Sequence, residues 1–281
     1  MKKISKNYVI IIIVILLTII SSFFLRINNQ AKKYNSSNGS ITVYNNAYQE
    51  NYETDSIELI LKEAFNAYVL LDPDNKDLKK SISTLKENGN MVSAYVSIGT
   101  GETYRDDFEL LKPFLTEKPW SQWNDEYFIN VITPDLISIM KKRIDVVAEL
   151  GFTWIEFDNM DWAFDDVLRD AHDLTVTEKE AIDYYNELCN YVHSLDLKCM
   201  AKNTTINAAV FDGVTYESSS EERNWWNTTE LVDFLDKKKL GIIVHYNEVD
   251  PQEVYNFYID IYGENLSIIV ESRVLKRYVH F

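Results

Sequence analysis

Short apolar runs alternate along the chain with longer stretches in which apolar residues recur every three or four positions. The short runs are rich in β-branched and aromatic residues, which is typical of strands, and the longer stretches are typical of amphipathic helices. The predicted strands are 41–44, 67–71, 91–98, 127–132, 153–157, 197–201, 213–216, 241–246 and 267–270. The predicted helices are 75–88, 135–150, 178–194 and 251–262.

The alternation of strands with helices predicts a parallel sheet, because parallel strands need long crossover connections. Eight or nine such units in about 240 residues is the size of a (β/α)8 TIM barrel, which is the fold we expect within the α/β class. A doubly wound open sheet is the alternative, although the sequence contains neither a GxGxxG nor a P-loop motif. Because nine strands exceed eight, either 41–44 or 267–270 is expected to be an accessory strand.

Two of the predicted helices have clear start signals. The stretch 135–150 follows Pro134, which is favoured in the first turn of a helix. The stretch 178–194 begins with a capping box formed by Thr177 and Glu180. These two boundaries are the sharpest that the local sequence predicts.

Residues 8–25 form an uninterrupted run of uncharged, mostly aliphatic side chains. As a helix, the run would span roughly 27 Å, close to the hydrocarbon thickness of a bilayer. It ends in Phe24 and Leu25 rather than in the small residues of a signal-peptidase site, so we expect an uncleaved transmembrane signal anchor. A cleaved signal peptide is the alternative, and in both cases the rest of the chain is exported.

The expected organisation has three segments. Residues 1–33 form a cytoplasmic tip and the signal anchor, residues 34–40 form a short polar tether, and residues 41–281 form one domain. The expected location is therefore the cell membrane, single-pass, with the domain outside the cell, or the secreted fraction if the segment is cleaved.

Charge is distributed unevenly between these segments. The chain has 44 acidic and 28 basic residues, but residues 1–33 contain six basic residues and no acidic one. The remaining residues therefore carry 22 basic against 44 acidic side chains. Such a surface repels phosphate, so a nucleic-acid-binding protein is excluded as a class.

Polar residues follow most of the predicted strands. In a parallel barrel, the carboxyl ends of the strands share one rim, where catalytic side chains gather. These strand-end residues are Asp72, Glu102, Arg105, Asp158, Asn159, Asp161, Lys202, Asn203, Glu217, His245 and Tyr246. Several carboxyl groups at one rim suit glycoside hydrolysis, in which one carboxylic acid protonates the leaving oxygen and one carboxylate attacks the sugar or activates water.

Each member of this set also has a structural explanation. Asp158 and Asn159 could cap the next turn, Glu217 could belong to a solvated acidic loop, and Glu102 with Arg105 could be a surface ion pair. Lys202 is harder to explain in this way, since lysine rarely follows a buried strand without a partner.

Other chemistries have weaker support. The four histidines are scattered without metal-ligand spacing, and no GxSxG motif occurs, so we expect neither a metal nor a cofactor. Cys189 and Cys199 are expected to be buried free thiols, with a disulfide as the alternative.

Three segments resemble glycoside hydrolase family 114, the endo-α-1,4-polygalactosaminidase type with a TIM barrel. The first is YVSIGTGETYR, which begins at Tyr95 and ends at Arg105. The second is GFTWIEFDNMD, at 151–161. The third runs from Leu174 through LKCMAKN to the FDGVTYE that ends at Glu217.

The resemblance implies roles for individual residues. The catalytic pair would be Asp158 and Glu217. The substrate-binding residues would be Asp72, Glu102, Arg105, Asp161, Lys202 and Asn203, to which we add Tyr95 and Tyr246 from the first segment and from the end of strand 241–246. The chain departs from the family pattern in having Phe-Ile-Asn at 128–130 where Trp-Leu-Asp is common, and Ser219 where a cysteine is usual.

The implied substrate is a polymer of galactosamine, which is polycationic near neutral pH when its amines are free. An acidic domain attracts such a polymer by long-range electrostatics. The tryptophans could stack on sugar faces, although half or more are expected in the core: Trp120, Trp123, Trp154, Trp162, Trp225 and Trp226. The alternative function is a catalytically weak surface module that binds a cationic glycan or cell-wall polymer.

Overall fold

The computed structural model describes residues 47–49, 56–75, 78–206, 209–273 and 277–281. The predicted membrane segment 8–25, the tether 34–40 and the predicted strand 41–44 lie outside the described residues. Among the helices in the described part, none combines the length and the hydrophobicity needed to cross a bilayer.

One large sheet forms the centre of the domain. Its nine strands, in spatial order, are β1 (Ala47–Gln49), β2 (Tyr68–Leu71), β3 (Met91–Ser97), β6 (Trp154–Asp158), β7 (Lys198–Lys202), β8 (Gly213–Ser219), β9 (Leu240–Glu248), β10 (Ser267–Ser272) and β11 (Arg277–His280). Neighbours from β1 to β10 pair in parallel, and β11 pairs antiparallel with β10. The missing numbers, β4 (Thr100–Glu102) and β5 (Glu126–Phe128), form a separate antiparallel ribbon.

The two ends of the large sheet meet. His280 of β11 donates from Nδ1 to the carbonyl oxygen of Ala47 in β1 over 2.6 Å, and its ring stacks on Tyr48. The strand order follows the chain without the reversal that a doubly wound sheet requires. The structure is therefore an α/β barrel-like fold with a nearly closed sheet, and the open-sheet alternative is wrong.

Two strand predictions need correction. The run 127–132 does not join the large sheet, because Glu126–Phe128 pairs with β4 inside the long connection between β3 and β6. Conversely, 267–270 is part of β10, which is the last strand of the parallel set and pairs on both sides, with β9 and β11, so it is not accessory. Local hydrophobicity indicated a strand in both places, but it carries no information about which partner a strand finds.

Eight helices connect the strands on the outside of the sheet. They are α1 (Ile57–Glu63), α2 (Leu78–Glu87), α3 (Phe108–Leu111), α4 (Pro134–Leu150), α5 (Asp166–His172), α6 (Glu178–Ser194), α7 (Thr228–Asp236) and α8 (Pro251–Tyr262), as far as the described residues extend. The capping box of α6 is present, and α4 has Thr133 as its N-cap and Gly151 in the left-handed region at its end (φ 95°). The four helices that the pattern did not predict have nine residues or fewer.

The strands are buried on both faces, and their side chains alternate between the inside and the outside of the barrel. This alternation positions the site. Outward residues pack under the helices in the larger hydrophobic cluster, whereas inward residues such as Tyr68, Trp154 and Met200 form a smaller cluster inside the barrel. Two residues further along their strands, the inward positions become charged: Glu156 follows Trp154, and Lys202 follows Met200. The barrel interior thus changes from apolar to ionic towards the carboxyl ends of the strands.

Candidate active site

Lys202 lies at the centre of the ionic layer. Its ammonium nitrogen is 3.3 Å from Glu156 Oε1, 3.6 Å from Asp158 Oδ1 and 3.4 Å from Glu217 Oε1. Its side chain is only 3% exposed. Burial alone would lower the pKa of Lys202, but the three surrounding carboxylates raise it well above the ordinary value. Lys202 therefore remains an ammonium ion between the two strand-end carboxylates.

The predicted catalytic carboxyls both contact this ammonium. Their contacting oxygens lie 3.6 Å and 3.4 Å from one nitrogen, so they are at most about 7 Å apart. Two-carboxylate glycoside hydrolysis requires carboxyl groups roughly 5 to 9.5 Å apart on either side of the scissile bond. Both side chains also reach solvent, with Asp158 18% and Glu217 35% exposed. The geometry of Asp158 and Glu217 is compatible with that chemistry.

Glu217 is held by several hydrogen-bond donors. The Tyr246 hydroxyl donates to its Oε1 over 2.9 Å, and Asn203 Nδ2 lies 3.5 Å from its Oε2. The backbone N–H of Glu217 donates in turn to Asn203 Oδ1 over 2.9 Å. Burial would raise the pKa of Glu217, but the Lys202 ammonium and these donors lower it overall. Glu217 is therefore a well-oriented carboxylate in the free protein.

A close backbone contact fixes the position of Asp158. Its carbonyl oxygen accepts the N–H of Ile98, and the next residue, Asn159, adopts the left-handed conformation with φ 56°. A Cβ atom at Gly99 would lie 2.0 Å from the Asn159 carbonyl oxygen, so only glycine allows this approach. The Tyr95 hydroxyl also hydrogen-bonds Asp158, and burial together with the Asp158 charge raises the pKa of Tyr95 well above its ordinary value.

Asp161 shares the environment of the pair. Burial raises its pKa to about 7, and the negative charges of Asp158 and, to a smaller extent, Glu217 contribute in the same direction. Asp161 is thus more easily protonated near neutral pH than an ordinary aspartate. The structure brings it together with the other predicted residues of the site.

Arg105 forms a second network beside the first. Its five N–H donors are all engaged, because the guanidinium makes five hydrogen bonds of 2.6 to 3.1 Å with Asp72, Asp74 and Glu102. Glu102 is fully buried and also accepts the Tyr104 hydroxyl over 2.7 Å. The surface ion pair considered from the sequence is therefore wrong, since this is a buried network. In the described structure, Arg105 contacts carboxylates with every donor it has.

Comparison with known proteins gives the family. The family model described as "Glycoside-hydrolase family GH114" matches residues 32–281, which is most of the chain. The chain belongs to glycoside-hydrolase family GH114. The predicted resemblance is confirmed.

Solved GH114-like structures agree in fold. Ega3 of Aspergillus fumigatus, solved in complex with galactosamine, has a TM-score of 0.67 at 18% identity and covers 88% of this chain and 99% of its own. The glycoside hydrolase domain of PelA from Pseudomonas aeruginosa has a TM-score of 0.60 at 15% identity, with 86% and 98% covered. At these identities the likeness shows the fold alone.

One curated relative also matches. It is an uncharacterized protein of Methanocaldococcus jannaschii, 30% identical over 122 residues, which are 42% of this chain and 35% of that protein. The chain thus spans about a third of the length of this relative.

Two acidic residues of the candidate site could not be identified by the reasoning from sequence given above. Glu156 precedes Asp158 by two residues and is buried on the same inward face, a period-two signal that could have identified it. Glu126 comes from β5, where no local signal marks it. Burial, partly offset by a 2.7 Å hydrogen bond from Thr100 Oγ1, raises its pKa to about 7, with added repulsion from Glu102 and Asp158.

The tryptophans divide as anticipated between core and surface. Trp154, Trp162 and Trp226 are buried, whereas Trp225 is 47% exposed. Trp225 donates from Nε1 to the backbone carbonyl oxygen of Glu217 over 2.8 Å, and its ring meets Tyr216 edge to face. Trp225 is therefore an exposed aromatic surface that contacts the backbone of the predicted catalytic residue Glu217.

The cysteines and acidic groups offer no metal site in the described part of the chain. There, no three His, Cys, Asp or Glu side chains are arranged to hold an ion. Cys189 and Cys199 are buried free thiols, and the disulfide alternative is wrong.

Proposed function

We propose that this protein hydrolyses glycosidic bonds in a polysaccharide of galactosamine-type amino sugars. The observation that carries the proposal is that Asp158 and Glu217 both contact the Lys202 ammonium and both reach solvent at the carboxyl ends of the strands. Membership of family GH114 supports the reaction type. The galactosamine bound to the fold relative Ega3 supports the class of sugar.

The proposed reaction assigns the chemistry to the two carboxyl groups. One of Asp158 and Glu217 donates a proton to the glycosidic oxygen as the bond to the anomeric carbon breaks. The other, as a carboxylate, attacks that carbon or takes a proton from the water that attacks it. Azide rescue of Asp158→Ala and Glu217→Ala assigns the roles in a retaining reaction. The variant without the nucleophile is expected to form a glycosyl azide of inverted anomeric configuration, and the variant without the acid one of retained configuration.

The charge of the site favours a cationic sugar. Carboxylates around the site outnumber the single charge of Lys202, and two of them, Asp161 and Glu126, have pKa values raised to about 7. Burial is the main cause of both shifts, and repulsion from neighbouring carboxylates adds to it. An ammonium group on the substrate would offset that repulsion and favour the ionised carboxylates. The polymer is proposed to bind with its amines free, and endo cleavage of α-1,4 linkages is the activity we propose to test first.

The proposed setting is outside the cell. The run at 8–25 would anchor the protein in the membrane, and the domain, proposed to be a (β/α)8 barrel, would act on extracellular polymer. Cell fractionation with protease treatment of intact cells tests this: a membrane-bound, protease-accessible domain is expected, and a protected domain would contradict the proposal.

The deciding experiment incubates the protein with de-N-acetylated galactosaminan and measures released oligosaccharides by mass spectrometry. Release is expected from the native protein and not from Asp158→Asn or Glu217→Gln. Glu149→Gln is the matched control, because Glu149 is exposed and lies near the end of α4, just before β6 begins. If the native protein binds the polymer but releases no oligosaccharide, the proposed hydrolase is contradicted and the binding module is favoured.

A further inference from the structure

Glu156 is a buried acid for which the proposed reaction gives no role. It lies on β6, two residues deeper in the barrel than Asp158, and is 1% exposed. Its Oε2 accepts the Tyr68 hydroxyl over 2.8 Å and the Thr215 hydroxyl over 2.9 Å. Its Oε1 accepts Lys202 Nζ over 3.3 Å. Both carboxylate oxygens are therefore satisfied inside the barrel, away from solvent.

Stability alone is a poor explanation for this arrangement. Burying a carboxylate and an ammonium together costs solvation free energy that their attraction often fails to recover, and an apolar pair of the same size is frequently as stable. The pKa of Glu156 is raised overall, because the effect of burial exceeds the opposite effects of Lys202, Tyr68 and Thr215. The two hydroxyl donors favour the ionised form of Glu156, which is the form that attracts an ammonium.

The contacts of Lys202 indicate what its ion pair with Glu156 does. Lysine has a flexible stem and a point charge with three donors, so it takes its position from its partners. Asp158 and Glu217 attract the ammonium towards the open rim, at 3.6 and 3.4 Å. Glu156 attracts it in the opposite direction, from inside the barrel. Among the described residues, Glu156 is the one ion-pair partner of Lys202 outside the catalytic pair, so without it no opposite charge draws the ammonium away from that pair.

We propose that Glu156 is a positioning residue that holds the Lys202 ammonium midway between Asp158 and Glu217. Its catalytic consequence rests on the proposed function, whereas its effect on the position of Lys202 does not. Glu156 acts through Lys202 and does not touch the substrate, because Lys202, Asp158 and the strand ends lie between it and the rim.

The kinetic test is a double-mutant cycle of Glu156→Gln and Lys202→Met. A misplacement of about 1 Å in a catalytic site can cost about 100-fold in rate, so Glu156→Gln is expected to lower kcat by about 10- to 100-fold, with KM changed by less than about threefold. In the Lys202→Met background, the same substitution is expected to lower kcat by less than about twofold. Equal losses in both backgrounds, or a native kcat in Glu156→Gln, would overturn the proposal.

A structural readout separates this inference from the proposed function. In a crystal structure of Glu156→Gln, Lys202 Nζ is expected to shift towards Asp158 or Glu217, because an amide nitrogen or neutral oxygen now faces the ammonium. An unshifted Nζ refutes the positioning role, whether or not the protein is an enzyme. An inactive native protein in which Nζ shifts in the variant refutes only the proposed function.

A milder variant covers the case in which Glu156→Gln does not fold. Tyr68→Phe removes one hydrogen bond to Glu156 Oε2 and leaves both charges in place. It is expected to lower kcat by about two- to fivefold with KM unchanged. A native kcat in Tyr68→Phe would then count against the proposal.

Discussion

Two ionic networks lie side by side at the rim of this barrel, and they are built from different cations. Arg105 makes five hydrogen bonds of 2.6 to 3.1 Å to Asp72, Asp74 and Glu102. Lys202 contacts three carboxylates at the longer distances of 3.3 to 3.6 Å. The planar guanidinium matches carboxylates two oxygens at a time, whereas the ammonium is a mobile point charge.

The difference indicates that the Arg105 network supports the fold, whereas the Lys202 network serves the proposed reaction. In the Arg105 network every donor is used, so the guanidinium ties the loops after β2 and β3 together. In the Lys202 network, Asp158 and Glu217 keep one side open to solvent. Variants in the first network should therefore change stability most, and variants in the second should change catalysis most.

The largest effect is expected when the catalytic pair is altered. Asp158→Asn and Glu217→Gln should each lower kcat by at least about 1,000-fold, and the double variant should lose little more than either single one, because the two groups act in one step. Kinetics on de-N-acetylated galactosaminan measures this. Independent losses that multiply in the double variant would show that the carboxylates do not work as a pair.

Arg105→Lys tests the other network. Lysine can donate at most three of the five hydrogen bonds, and it leaves buried Glu102 underpaired. We expect the free energy of unfolding to fall by about 2–4 kcal/mol in urea denaturation. The control is Lys112→Ala, which breaks the exposed ion pair with Glu109 and should cost less than about 0.5 kcal/mol. Similar losses in both variants would contradict a structural role for Arg105.

Asp161→Asn should stabilise the protein in a pH-dependent way. The pKa of Asp161 is raised to about 7 in the folded protein, so the folded state binds a proton that the unfolded state releases near pH 4. Stability contributed by this group therefore falls as pH rises towards and through 7. Asparagine removes that loss, and we expect a gain on the order of 2 kcal/mol at pH 8, with little gain at pH 4.

Denaturation of native protein and variant across this pH range measures the effect. A gain of the same size at both pH values would mean that ionisation of buried Asp161 is not its cause.

The smallest effect is expected at the edge of the catalytic network. Trp225→Ala removes the exposed ring beside Glu217, and we expect KM to rise by about three- to tenfold with kcat nearly unchanged, because a stacking surface for a bound sugar is lost. Phe65→Ala is the control, since Phe65 is similarly exposed but lies before the start of β2. A rise in KM in both variants would remove the case for a sugar site at Trp225.

Part of the site could be predicted because its signals are local. Asp158, Lys202 and Glu217 each end an apolar run, and parallel strands bring their carboxyl ends to one rim. Glu156 lies two residues before Asp158 on β6, so its side chain is on the same face of that strand. Glu126 could not be predicted in this way, because it reaches the site on a ribbon inserted between β3 and β6, whose partner is β4.

The helices also divide into those that the local sequence predicts and those that it does not. The boundaries of α4 and α6 follow from a proline, a glycine and a capping box in the sequence. Helices of nine residues or fewer, such as α5 and α7, have too few turns to display a clear apolar stripe, and tertiary packing stabilises them instead.

The sequence by itself determined which residues end strands, which helices begin where, and which side chains alternate inward, because these depend on backbone geometry and caps within a few residues. Only the tertiary structure decided that 127–132 leaves the large sheet, that β11 contacts β1 in a nearly closed sheet, and that the Lys202 ammonium contacts carboxylates of β6 and β8. Those outcomes depend on strand pairing and ion contacts between segments that are far apart in the sequence. The local periodicity of apolar residues carries no information about such contacts.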